Sequence, residues 1–256
     1  MLFDAHSHLD MLVRSPSELP FLLEEEFQGG ISALVQVSTD PDIHHAYSPY
    51  FRAKEGTVYP VCGLPHTYHG SKKNEPLHKL TEIVRGSQVF ALGEIGLDYS
   101  RSPSADEREK QGELFRLQLE LAAARDLPVV IHMRDAADDT LRALDEFPSV
   151  RGMIHCYTGD GALARALLER GYYISFSGVV TFANAHALRA VVPDIPGDRL
   201  LVESDAPFLA PVPFRGQKNR PFMIQHTLRV LASLRGSTFE EMAASTARNA
   251  RRMLGI

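Results

Sequence analysis

Short runs of apolar residues, rich in β-branched and aromatic types, recur along the chain, and the stretches between them carry apolar residues at helical spacing. Eight runs stand out: Leu2 to Ala5, Ile31 to Val37, Val58 to Cys62, Val89 to Leu92, Val129 to Ile131, Met153 to Ile154, Tyr172 to Phe176 and Leu200 to Val202. Their apolar character is continuous rather than alternating, which predicts parallel strands covered on both faces.

Leu19, Leu22, Leu23 and Phe27 predict a helix after Ser17 that Gly29-Gly30 ends. The same grammar places helices at Leu77, Leu80 and Val84 before Gly86, and at Leu114, Leu117, Leu121 and Ala124 before Pro128. Further helices carry Leu163, Ala166 and Leu167 before Gly171, then Ile224, Leu228 and Leu231, then Phe239, Met242 and Ala243. Strands alternating with helices need crossover connections, and eight repeats close a barrel. The expected fold is therefore α/β, a single-domain TIM (β/α)8 barrel over residues 1–256. The competing fold is an open doubly wound sheet, but no G-x-G-x-x-G follows the first strand, and no organic cofactor is expected. Ala210 to Pro221 reads as a long loop after the eighth strand.

Charge narrows the partners. With 27 Lys plus Arg against 32 Asp plus Glu, the net charge of −5 excludes a broad basic surface for gripping duplex DNA, though a few local phosphate contacts fit. Cys62 and Cys156 form no C-x-x-C pair, which suits a reducing compartment. No apolar run approaches the roughly 18 residues of a membrane span, and the N-terminus runs straight into Met1-Leu2-Phe3-Asp4-Ala5-His6 without a basic leader. A soluble, cytoplasmic protein with no membrane partner is expected. A body of this size buries about three quarters of its unfolded surface and needs no structural metal, so any metal is functional.

The chemistry gathers at the strand ends. His6-Ser7-His8 closes the first strand, and residues two apart on a strand share a face. The fourth strand ends in Gly93-Glu94-Ile95-Gly96, the fifth in His132, the sixth in His155 and the eighth in Glu203-Ser204-Asp205. TIM barrels place catalytic groups at the C-terminal ends of their strands, so these distant residues can meet in one pocket. Four imidazoles and two carboxylates there predict a pair of divalent metal sites. The expected division puts His6, His8 and Asp205 on one ion and His132 and His155 on the other, with Glu94 bridging. Two such ions can share a hydroxide and lower the pKa of water from about 15.7 toward 7, and Asp205 is the candidate to take its proton. Glu203, two residues from Asp205, faces the same pocket, to orient a ligand or to hold a further metal. Mg, Mn, Zn, Fe and Co all remain open: imidazoles favour the transition metals, whereas Mg prefers oxygen.

In combination and order, FDAHSHLD at 3–10, GEIGLDY at 93–99, PVVIHMRDA at 128–136, IHCYTG at 154–159 and ESDAPFLAP at 203–211 make a specific set. The chain resembles, over nearly its whole length, the TatD-type metal-dependent deoxyribonucleases of the amidohydrolase superfamily. The resemblance implies metal ligation by His6, His8, Glu94, His132, His155 and Asp205, with glutamate rather than a carboxylated lysine as bridge. The loop Pro213 to Pro221 is similar to the family's Arg-Gly-x-x-Asn-x-Pro segment, which implies substrate contacts from Arg215 and Asn219. One departure follows the third strand: the family's Gly-x-His-Pro reads Gly63-Leu64-Pro65-His66 here, so the expected substrate contact falls to His66 or to nearby His69.

The resemblance implies a phosphodiesterase that trims single-stranded DNA in the 3′ to 5′ direction. A strand end needs only a narrow funnel, which the negative net charge permits. Tyr68, Tyr99, Tyr157 and Phe208 are the candidate stacking residues, since the chain has no Trp. The same ligands serve an ester or amide hydrolase, such as an aminoacyl-tRNA deacylase, and a non-catalytic metal-binding barrel is the third reading.

Overall fold

In the computed structural model, residues 1–256 are described except 53, 55, 69–73 and 87–88. Eight strands alternate with helices: β1 (Leu2–Ser7), α1 (Leu19–Gln28), β2 (Ile31–Ser38), α2 (Pro41–Arg52), β3 (Val58–Cys62), α3 (Asn74–Arg85), β4 (Ala91–Asp98) and α4 (Ala105–Ala124). The second half runs β5 (Val129–Arg134), α5 (Ala137–Glu146), β6 (Gly152–Ile154), α6 (Gly161–Glu169), β7 (Tyr173–Phe176), α7 (His186–Val191), β8 (Leu200–Val202), α8 (Ile224–Arg235) and α9 (Phe239–Leu254). All neighbouring strands pair in parallel, in the order β1 to β8. The residues after β8 complete the ring: His8 N donates to Ala206 O at 2.8 Å and Asp205 N to His6 O at 3.0 Å. This is the predicted TIM barrel, a single α/β domain.

Two cores follow from strand alternation. One set, Phe3, Ala33, Tyr59, Ala91, Val130, Met153, Tyr173 and Leu201, takes a residue from each strand and packs with Ala250 and Met253 of α9. A cluster drawn from alternate positions of all eight strands is the barrel interior. The complementary positions, among them Leu34, Leu92, Ile131, Ile154, Ile174 and Val202, pack with Leu23, Leu80, Leu119 and Leu228 from the helices.

Several helices start and stop where the sequence signals. Ser104 and Glu107 form a capping box on α4 and Thr238 and Glu241 one on α9, while Gly236 ends α8 in a left-handed conformation. The sequence expectation names no helix at α2, which contains Pro49, at α5, which opens on Asp138-Asp139, or at α7, which spans only six residues. β4 also differs from expectation. It begins at Ala91 and runs to Asp98, so Glu94 sits within the strand rather than at its end.

Candidate metal centre

The interior alternation of the strands continues into the C-terminal mouth. His132 lies two residues past Val130, His155 two past Met153 and Glu203 two past Leu201, so these side chains leave the strand ends toward the axis. Glu94 and the first histidine pair have the opposite parity and depend on irregularities. The register of β4 against β5 slips between Gly93 and Ile95, which leaves both Leu92 and Ile95 on the helix side and turns Glu94 inward. A similar slip in β1 between Asp4 and Ser7 does the same for His6 and His8. Gly96, at φ 137°, lets β4 pass β5 here, because a Cβ would lie 2.0 Å from His132 O.

Glu94 divides the cluster. Its Oε1 lies 2.8 Å from His132 Nδ1 and 2.9 Å from His155 Nε2, while its Oε2 lies 3.7 Å from His6 Nε2 and 3.6 Å from His8 Nε2. Asp205 Oδ1 is 3.7 Å from the Nε2 atoms of both His6 and His8. Within each half the ring nitrogens face one another at 3.1 Å, His6 Nε2 to His8 Nε2 and His132 Nδ1 to His155 Nε2. Nitrogens about 2.0–2.1 Å from a shared ion stand roughly 3 Å apart, so the spacing fits a metal's ligand shell. Among the described residues, His6, His8 and Asp205 form one group with ligand atoms within 4.8 Å of one another, and Glu94, His132 and His155 form another. Two overlapping groups, His6 with His155 and Glu203, and His66 with Asp98 and His132, meet the same limit.

The outward edges of the imidazoles are anchored. His8 Nδ1 lies 2.9 Å from Val37 O, which fixes its N–H there and turns the Nε2 lone pair inward. His155 Nδ1 lies 3.3 Å from Glu203 Oε1, and His132 Nε2 lies 3.2 Å from Asp98 Oδ2. His6 stacks on His155 with ring centroids 4.1 Å apart, and its buried Nδ1 has no hydrogen-bond partner among the described residues. Lone pairs aimed at one another in a buried site repel unless a cation or protons lie between them, so the donor set fits divalent metal.

The titration of the groups shows the same demand. Burial alone disfavours the charged form of His155, but Glu94 and Glu203 outweigh it and hold its pKa well above the usual imidazole value. His132 is likewise raised against burial, by Asp98 and Glu94. Glu94 goes the opposite way: burial would raise it, but His155 and His132 hold it well below the carboxylate range. Burial, aided by the neighbouring imidazoles, keeps His6 well below the imidazole value. Asp205 is pushed up to about 7, chiefly by burial, with His155 and His8 resisting.

Glu203 is fully buried and its Oε1 also accepts Cys156 N at 2.7 Å, so in this structure it holds a ligand histidine and the strand end beside it. The sequence reading passed over two further carboxylates. Asp98 lies four residues past Glu94 on the same strand, and its hydrogen bonds with His132 and Ser100 hold its pKa well down. Asp4, two residues before His6, accepts Ser204 N at 2.8 Å and Ser204 Oγ at 2.5 Å and ties β1 to the end of β8. Burial raises its pKa well above the usual value. Spacing along the strand was the available signal for both.

The expected substrate contacts divide. His66, despite its displacement, stacks on His132 with centroids 5.0 Å apart and brings Nε2 within 3.8 Å of Asp98 Oδ2. His69 lies outside the described residues. Arg215 is exposed, with its guanidinium 3.9 Å from the centre of the Phe182 ring. Asn219 requires correction: it is fully buried, and its Nδ2 donates to Ser204 O at 2.7 Å and Phe208 O at 2.6 Å. Both amide hydrogens are thereby used, so Asn219 staples the loop and has no donor left for substrate. Of the candidate stacking residues, Tyr99 and Tyr157 are buried with their hydroxyls on Asp139 and Asp160 O, and Tyr68 is half-buried, whereas Phe208 is 50% exposed.

Residues 3–255 match the family described as TatD related DNase. The chain is 37% identical over 259 residues to an uncharacterized metal-dependent hydrolase, YabD, of Bacillus subtilis, covering 100% of both chains. It is 37% identical over 237 residues to the 3′-5′ ssDNA/RNA exonuclease TatD of Erwinia amylovora, covering 90% of each. The crystal structure of YJJV, a TatD homologue from Escherichia coli K12, superimposes with a TM-score of 0.89 at 28% identity, over 100% of this chain and 98% of that one.

Proposed function

The chain belongs to the TatD-related DNase family and is a metal-dependent hydrolase, and from that premise we propose that it hydrolyses phosphodiesters, trimming single-stranded DNA from the 3′ end. The observation that carries the reading is Glu94, whose two oxygens face two different imidazole pairs as a bridge between two cations requires. Two divalent ions held there, whether Mg, Mn, Zn, Fe or Co, would activate water and neutralise charge on the phosphoryl oxygens.

The chain's own residues supply the rest. Glu94 holds the two halves together, with His6, His8 and Asp205 on one side and His132 and His155 on the other. Asp205 lines the open cavity and takes the proton of the attacking water. Glu203 and Asp98 fix the orientation of His155 and His132, so the site costs little reorganisation during reaction. His66 beside His132, exposed Arg134 at the cavity mouth and Arg215 on the Phe182 ring serve the substrate's phosphates. A net charge of −5 disfavours extended duplex binding and leaves strand ends as the accessible substrate. No described helix is long and apolar enough to cross a membrane, and Cys62 and Cys156 are free thiols, in keeping with a cytoplasmic location.

The test is metal-loaded protein on single-stranded oligonucleotides labelled at either end, on duplex, and on ester and amide panels including aminoacyl-tRNA. Stepwise loss of nucleotides from the 3′ end is expected, abolished in His132→Ala and Asp205→Asn proteins that remain folded. Turnover of esters or amides without any oligonucleotide cleavage would replace the nuclease reading with the deacylase one.

A further inference from the structure

The cavity over the metal-ligand cluster has a chemically mixed lining. Its volume is about 440 Å³, the scale of a single small-molecule site. His132, His155 and Asp205 line it together with Met133, Val179, Phe208 and Leu209. An anion held by the ligand residues therefore has apolar side chains within the same cavity.

Phe208 is the unusual member of the apolar lining. Large aromatic side chains are generally buried, yet this one is 50% exposed in a loop whose neighbours are fixed. Its N–H donates to Asp205 O at 2.8 Å, and its carbonyl accepts from the buried Asn219 amide at 2.6 Å. Its ring stands edge-on to His8, with centroids 6.2 Å apart and planes at 72°. An aromatic face is thus presented to solvent on a stapled backbone, one ring away from the ligand cluster. Such a face suits a planar π-system and gains stacking without ordering a flexible loop.

We propose that Phe208 is the platform on which the base of the terminal nucleotide stacks while the scissile phosphate lies among the residues around Glu94. This rests on the nucleic-acid reading of the site and adds its specificity element: recognition of a base, of any identity, at the strand end. Stacking tolerates every base because each has a π-face, and loss of one stacked base weakens binding by about tenfold or more.

The experiment crosses a protein change with a substrate change. Wild type, Phe208→Ala and Phe208→Trp are assayed on a single-stranded oligonucleotide ending in a normal nucleotide and on the same strand ending in an abasic residue, with metal content and circular dichroism matched. The wild-type KM should rise about tenfold on the abasic end. F208A should show that raised KM on the normal end and no further loss on the abasic one, and F208W should behave as wild type, with the effect on KM rather than kcat. Losses that multiply in F208A on the abasic end, or an F208A KM equal to wild type, would overturn the proposal while leaving the nuclease reading intact. Failure of wild type to cleave any oligonucleotide would instead overturn that reading, and this one with it.

Discussion

Replacing Glu203 by glutamine keeps the shape of the side chain and removes its charge, which separates its two contacts. Glu203 is fully buried, and its Oε1 accepts Cys156 N at 2.7 Å and faces His155 Nδ1 at 3.3 Å. The glutamine oxygen can keep the Cys156 bond, but the interaction with His155 becomes one between neutral groups, roughly half as strong as with a carboxylate. Loss of a partner behind a ligand histidine costs about 10–100-fold in metal affinity, or about 1.4–2.7 kcal/mol. Glu203→Ala additionally leaves the Cys156 N–H unpaired, a penalty of about 1–3 kcal/mol, which lowers Tm by about 2–4 °C per kcal/mol in a chain near this size. Competition titration with a chromogenic chelator measures the first effect, and thermal unfolding in excess chelator the second. The expected pattern is weakened metal binding in both variants and a large loss of metal-free stability only in Glu203→Ala. Wild-type metal affinity in Glu203→Gln would refute the reasoning and leave Glu203 as a strand-end staple alone.

Three further outcomes follow from the geometry. His132 and His155 have raised pKa values and Asp205 is held at about 7, so near neutrality the metal displaces protons from these groups, whereas the lowered pKa of His6 leaves it neutral with one nitrogen lone pair to offer. Metal affinity and the metal-induced rise in Tm should therefore grow as pH increases through neutrality. Calorimetry in buffers of different ionisation enthalpy should register proton release, and a pH-independent affinity with none released would contradict the assignment. Asn219→Leu leaves the Ser204 and Phe208 carbonyls without their buried donor and should destabilise the protein by about 1–3 kcal/mol, which chemical denaturation with a wild-type midpoint would disprove. Gly96→Ala puts a methyl group 2.0 Å from His132 O and should shift that strand end, lowering metal stoichiometry along with Tm; full metal content by elemental analysis would count against it.

What the sequence made legible was set by the range of the interactions involved. β3 and β8 appear with the bounds read from their apolar runs, because strand burial on both faces is written locally. The ligand set was legible through spacing: His6 and His8 two apart, His155 and Asp205 just past strand ends, and His132 by type, although β5 runs two residues beyond it to Arg134. Glu94 was found by type but misplaced as a terminus, since the slip at Gly93 and Ile95 that turns it inward is a property of the pairing with β5 and not of β4 alone. The substrate contact expected of Asn219 comes from the resemblance of its loop to the family's Arg-Gly-x-x-Asn-x-Pro segment, and only the fold reveals that two buried carbonyls claim it. The Asp4 and Ser204 pair joins residues 200 positions apart, so strand spacing marks Asp4 but not its partner. Among the helices, Pro49 inside α2 and the six-residue length of α7 obscure the helical spacing, whereas α5 carries a readable apolar face, with Ala143 and Leu144 buried, that the expectation omits.

The central claim is that the Glu94 carboxylate lies between two cation sites built from six side chains that are remote in sequence. Anomalous diffraction from crystals grown with manganese or zinc tests it most directly. Two peaks should flank Glu94, one within ligand distance of His6, His8 and Asp205, the other within ligand distance of His132 and His155. Anomalous density elsewhere in a fully loaded crystal, with none beside Glu94, would contradict it.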